Sequence, residues 1–314
     1  MKKQRALFVG FITVFFVICY MIMGQRYDAL ARYAYANEDN HDEILEVVSK
    51  ADIQLLIDYD IRPEEFLPFV KVKGFDLRNS KAYYEASLVK DDSKETLVSS
   101  VNVIVQHMSM ETMLLYLDDY SFEEIIDWVE NKDIYNKNSI FIYRPTNYDT
   151  ILTDVYTVGR YVPKDLENVT SMSTLISNGQ MQLSKETNEA LGEMCSLLQD
   201  EFNETCGGLI ATKGYISYDE QIKLYDEYLL KYGPDQTEFL YPGHNEYQLG
   251  NTLEITVKGN SNFTSSKQYK WLLKNSAEYG FVFRNSNVLR YVGKDLAKYL
   301  VNNNMTLEDV RVDK

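Results

Sequence analysis

The stretch Tyr241-Pro-Gly-His-Asn-Glu-Tyr-Gln-Leu-Gly-Asn-Thr-Leu-Glu254 gathers side chains that could do chemistry. His244, Glu246 and Glu254 carry imidazole nitrogen and carboxylate oxygen, donors that suit a divalent cation, and a bound cation can activate water. Histidine is scarce, with only His41, His107 and His244 in the whole chain. In a Pro-Gly turn His244 reads first as a surface residue and only second as a ligand. The chain has no Cys-x-x-Cys or His-x-x-x-His pair to frame a structural zinc, no Gly-x-Ser-x-Gly elbow for a serine nucleophile and no phosphate-binding glycine loop.

The same stretch is similar to a metal-binding signature. In the VanY-type D-alanyl-D-alanine carboxypeptidases it reads Pro-Gly-x-Ser-Glu-His-Gln-x-Gly-x-x-x-Asp, with the His and Asp holding a catalytic zinc. Pro242, Gly243, Glu246, Gln248 and Gly250 match that frame, while Tyr247 stands at the His position and Glu254 at the Asp position. Other blocks resemble the family in order. Tyr161-Val-Pro-Lys-Asp-Leu166 is similar to its opening motif, and Gly214-Tyr-Ile-Ser-Tyr-Asp-Glu-Gln221 to Ser-Gly-Tyr-Arg-Ser-x-x-x-Gln. Ala277-Glu-Tyr-Gly-Phe-Val-Phe-Arg284 and Leu289-Arg-Tyr-Val-Gly293 resemble its closing blocks. Together they span roughly residues 150–310.

The resemblance implies a zinc peptidase fold and tells where its chemistry would lie. A zinc hydrolase needs three protein ligands, an open position for water and a carboxylate to take the water's proton. The family's ligands fall at Tyr247, Glu254 and Val288, its base at Asn285 and its substrate-facing arginine at Ile216. Tyr247 would have to shed a phenolic proton whose ordinary pKa is about 10. Val288 has no donor atom, and Asn285 accepts no proton at neutral pH. The segment between Arg284 and Arg290 is also shorter than the family's. The resemblance thus implies a peptide-derived cleft without its catalyst. Cleft candidates are Tyr215, Ser217, Tyr218, Gln221, His244, Glu246, Tyr247, Gln248, Glu254 and Arg290. No cofactor is expected, and the ligand is a peptidoglycan stem peptide or a membrane or wall-assembly protein. Two alternatives stand: an active D,D-carboxypeptidase with a displaced metal site, which would need zinc, and a structural protein acting through its amino-terminal helices.

Ahead of this domain, Lys2, Lys3 and Arg5 precede an uncharged apolar run of 18 residues, Ala6 to Met23. At 1.5 Å per residue that run just spans a bilayer core, and the leading positive charges favour a cytoplasmic amino terminus. Residues 1–26 are therefore expected to be a single-pass anchor that leaves the body extracytoplasmic. They hold four of the 32 Lys and Arg and none of the 47 Asp and Glu. The body then carries 28 basic against 47 acidic residues, a formal −19, which excludes nucleic acid as a natural partner. Cys195 and Cys206 are eleven residues apart. They are open to two readings, a disulfide in an oxidising compartment or two buried small hydrophobes.

The expected fold is α+β: the anchor, a stalk and helical module over 27–135, a connector over 136–163, and a VanY-like domain over 164–314 with a small antiparallel sheet. Within the module, Leu55–Val70 echoes Leu114–Val129 at six of sixteen positions. Each copy reads as a helix end, a tight turn and a second helix starting near Glu-Glu, with Ser121 and Glu124 as a capping box. Val101–Val105 is β-branched and predicts a strand. In the domain, helices are predicted over Ser184–Asn203, with Ala190, Leu191, Met194, Leu197 and Leu198 facing inward, over Asp219–Tyr232 closed by Gly233-Pro234, over Lys267–Tyr279 and over Leu296–Asn303. Strands are predicted over Gly207–Thr212, Thr252–Val257 and Arg290–Val292.

Overall fold

The structure is a computed structural model that describes residues 2–24, 28–131, 133, 136–175, 180–233, 241–259 and 262–310. Pro234 lies outside them. The chain divides into two compact units, Met1–Leu114 and Leu115–Lys314.

The first unit is helical. Helix α1, Lys2–Gly24, takes up the apolar run, and its described side chains, residues 10–21, are exposed apart from Cys19. Among the described residues no helix is long and apolar enough to cross a membrane. Then come α2 (His41–Val47), α3 (Lys50–Asp58), α4 (Pro63–Phe66), α5 (Ser80–Val89) and α6 (Lys94–Ile104). Leu30, Tyr33, Ile44, Ile53, Leu56, Ile61 and Phe66 form one core. The predicted strand at Val101–Val105 is instead the end of α6. Leu97, Val98, Val101 and Ile104 recur at helical spacing and are buried, and Ser93 caps the start by accepting from the Thr96 amide. Burial at a period of 3.6 outweighs the β preference of the valines. Asn102 fastens α6, its amide donating to the Gly74 carbonyl at 2.8 Å.

The two similar segments fold alike. Helix α7 (Met110–Leu117) and α8 (Phe122–Asn131) repeat the α3-turn-α4 pattern. In both copies a glutamate reaches back to the turn: Glu65 accepts from the Arg62 amide at 2.8 Å and Glu124 from the Ser121 amide at 2.7 Å. The unit boundary falls inside α7, whereas the sequence reading ended the module near residue 135. Helix α8 belongs to the second unit because its aromatic face packs on the connector. Trp128 stacks on Phe141 at 4.5 Å, and the Tyr120 hydroxyl donates to the Ile142 carbonyl.

The second unit continues with β1 (Ile140–Phe141), β2 (Tyr156–Thr157), β3 (Leu166–Asn168), β4 (Ser173–Thr174), β5 (Gln182–Ser184) and α9 (Lys185–Phe202). Next are β6 (Leu209–Lys213), α10 (Tyr218–Tyr232), β7 (Thr252–Val257) and α11 (Lys267–Asn275). The last elements are β8 (Phe281–Asn285), β9 (Val288–Tyr291), α12 (Lys294–Asn303) and α13 (Leu307–Val310). The main sheet has the order β4-β6-β7-β9-β8. It is mixed rather than purely antiparallel, because β4 and β6 run parallel, with β5 and α9 between them in sequence as the crossover. The sheet's core face, with Leu209, Ala211, Leu253, Ile255, Phe281 and Leu289, meets Ala190, Leu191, Met194 and Leu198 of α9. Leu197, expected on that face, is 45% exposed. Three residues on from Met194 takes it past the edge of the stripe, and Cys195 fills the face instead. Cys195 and Cys206 are bonded as a disulfide, so the second of the two open readings is excluded.

Candidate functional site

The sheet brings the three matched metal positions together. Glu254 of β7 is the cross-strand partner of Val288 of β9 on one side and of Lys213 of β6 on the other. Tyr247 lies on a short 3-10 turn, Glu246–Leu249, that leads into β7, with the Glu254 carboxylate beside its phenol. A donor set of one phenol, one carboxylate and one valine does not fit a zinc ion. Burial, with Glu254 adding to it, pushes the Tyr247 phenol well above its ordinary value, so the proton a metal would have to displace is held more tightly than usual. Among the described residues no group of three or more His, Cys, Asp or Glu is placed to hold a metal ion.

Asn285, at the base position, is spent on the backbone. β8 and β9 are joined through Ser286 and Asn287, and the Asn285 side-chain oxygen accepts from the amides of Asn287 (3.1 Å) and Val288 (3.0 Å). The segment between the two strands is therefore a closed two-residue hairpin turn. Ile216, at the arginine position, is a core residue.

Several cleft candidates turn out to be structural supports. His244, Gln221, Gln248 and Arg290 are fully or almost fully buried. His244 is not the surface residue its Pro-Gly turn suggests. Its ring nitrogens face the Asp133 carboxylate at 2.7 Å and the Thr153 carbonyl, which leaves neither free for a cation. Gln221 donates to Gln248 at 2.9 Å and to the Ile216 carbonyl, and accepts from the Gly243 amide. Gln248 in turn donates to the carbonyls of Gly159 and Tyr161. This amide chain fastens three of the matched blocks to one another. Gly243 sits at the centre, at φ +85°, where a Cβ would fall 2.8 Å from the Thr157 hydroxyl.

Glu246 is likewise committed. Arg284 grips it through Nε (3.0 Å) and Nη2 (3.1 Å), and the buried Arg290 pairs with it at 2.9 Å. Burial pulls the Arg290 guanidinium below its ordinary value and Glu246 pushes it back. Its Nη2 donates to the Thr150 carbonyl. A cation site built from His244, Glu246 and Glu254 therefore has two of its three members engaged elsewhere.

The remaining candidates are closer to solvent. Ser217 caps α10, its hydroxyl accepting from the Glu220 amide, and Tyr218 lies beneath the Arg160 guanidinium at 4.6 Å. Burial pushes the Tyr215 phenol up to about 12. The residue that sequence reasoning missed is Lys213. Its ammonium is 3.7 Å from Glu254 Oε2 and 5.2 Å from the centre of the Tyr247 ring. The signal was present, since the similar pattern has serine just before Gly214. A cavity of about 650 Å³ lined by Tyr148, Glu186, Glu193, Tyr291 and Lys294 shares no residue with the ten candidates.

The frame and its neighbours are those of a family. The family model described as VanY, D-alanyl-D-alanine carboxypeptidase, matches residues 180–294. A relative, YodJ of Bacillus subtilis (strain 168), which bears the name of a carboxypeptidase, is 30% identical over 190 residues, covering 54% of this chain and 68% of its own. Among solved structures, the LdcB LD-carboxypeptidase, reported as revealing the molecular basis of peptidoglycan recognition, is 28% identical. It covers 55% of this chain and 90% of its own, with a TM-score of 0.50. VanYB in complex with D-alanine-D-alanine is 21% identical, covering 53% of this chain and 99% of its own, with a TM-score of 0.42. The chain belongs to the VanY D-alanyl-D-alanine carboxypeptidase family.

Proposed function

We propose that this chain is a membrane-anchored, extracytoplasmic member of the family that binds a peptidoglycan peptide without cutting it. The observation that carries the reading is the convergence of Tyr247, Glu254 and Val288 with one carboxylate among them, and that carboxylate already engaged by Lys213 and Asn287. Hydrolysis needs an activated water and a base, and Asn285 supplies no base. The frame that shapes the fold survives because Gln221, Gln248, Glu246 and Arg290 hold segments together whether or not chemistry follows. A peptide as ligand is supported by the LdcB relative and its peptidoglycan recognition. The anchor rests on the apolar run from Ala6 to Met23, and an extracytoplasmic body is supported by the Cys195–Cys206 disulfide.

The test uses the full chain in detergent and a peptide ending in D-alanyl-D-alanine, with an active relative run in parallel. Saturable binding, with no alanine released above a blank without protein, is the expected result. Release that a chelator abolishes and Glu254→Ala removes would establish the displaced-metal alternative instead. Fractionation of cells tests the anchor: the chain should pellet with membranes and stay there after a high-salt wash.

A further inference from the structure

Lys213 matches none of the family's functional positions, yet it reaches the matched metal positions. It closes β6, past a register shift after Ala211 that turns it onto Glu254 as its cross-strand partner. The ammonium lies between the Glu254 carboxylate and the ring of Tyr247, 3.7 Å from Oε2 and 5.2 Å from the ring centre. The other carboxylate oxygen takes the Asn287 amide at 3.3 Å. We infer that the Lys213 ammonium takes the place of the family's metal ion. It is a tethered cation that supplies Glu254 with the positive charge a bound metal would give and keeps a divalent cation out.

The physics is direct. A carboxylate positioned among a phenol, a valine and strand backbone needs a counter-charge, and two cations within a few ångströms of one carboxylate repel each other. A lysine on the neighbouring strand meets both requirements without a metal supply. The competing account is an ordinary cross-strand ion pair, since the Lys213 and Glu254 side chains are 46% and 30% exposed. The two accounts differ in what they say about metal binding. The inference rests on the metal-free reading of the site and is independent of which peptide it binds.

The experiment restores the donor set in the full chain with Tyr247→His, Glu254→Asp and Val288→His, once with Lys213 kept and once with Lys213→Ser. Zinc affinity is read by competition with a chromophoric chelator. At least tenfold weaker zinc binding with Lys213 kept is the expected result, and equal affinity overturns the inference. Should the triple variants fail to fold by circular dichroism, the milder pair Tyr247→His with Lys213 kept and Tyr247→His with Lys213→Ser decides by the same competition. Weaker zinc binding with Lys213 kept is again the expected result, and equal affinity overturns the inference. A natural chain that itself holds about one zinc after dialysis overturns the metal-free reading and this inference together, an outcome distinct from the others.

Discussion

Arg290 and Tyr247 occupy family positions and do opposite things with them. Arg290 keeps the family's residue and is sealed inside, its charge answered by Glu246 and its Nη2 by the Thr150 carbonyl. Removing it would leave Glu246, itself mostly buried, short of one partner. Arg290→Met should therefore cost about 3–5 kcal/mol of stability in urea unfolding, whether or not peptide is present. Tyr247 stands at a matched metal position with a different side chain, its ring 5.2 Å from the Lys213 ammonium and its phenol beside Glu254. Tyr247→Phe keeps the ring contact, should change stability by less than about 1 kcal/mol in urea unfolding, and should leave zinc content unchanged. A phenolate signal from Tyr247 below pH 10 would contradict the account, because burial and Glu254 both oppose ionisation.

At the scale of elements, the site is set by three connections. The β8–β9 hairpin closes with Asn285 accepting two amides, which makes the connection between the two strands a tight turn. The Pro-Gly segment is held by Gln221 and Thr157 around Gly243, whose positive φ and close neighbours exclude any side chain. Gly243→Ala should lower stability by more than about 1 kcal/mol, with circular dichroism confirming that the variant still folds. Helix α9 is tied to the turn before β6 by the disulfide. Closing a loop of that length stabilises by roughly 3 kcal/mol in the chain-entropy account. Paired Cys195→Ala and Cys206→Ala should show a loss of that order in urea, with no change in helix content.

For the molecule as a whole, the charge network at the end of the second unit makes stability depend on pH. Hydrogen bonding to Arg284 holds the Glu308 carboxyl down at about 2, against an ordinary 4.5. Glu308 lowers its value on folding, so its contribution is fully present above pH 4.5 and is lost as pH falls toward 2. Its side chain is more than half exposed, so the effect is screened and modest. Glu308→Gln should flatten the Tm-against-pH curve in that window and nowhere above it. The sequence by itself determined the family, the ordered blocks, the helices α9 to α12 and which residues, Tyr247, Glu254 and Val288, stand at the matched positions. These depend on residue identity and on short-range periodicity, both of which a linear string carries. It could not show that Val101–Val105 is helical, that His244 is buried, or that β4 joins the sheet in parallel. Each of these is decided by which distant residues come into contact: burial at helical spacing for the valines, Asp133 and Thr153 for the histidine, the crossover through α9 for the strand. The disulfide and the Lys213–Glu254 pair belong to the same class. Spacing permits both, and only the tertiary fold, which sets sulfur against sulfur and ammonium against carboxylate, makes them.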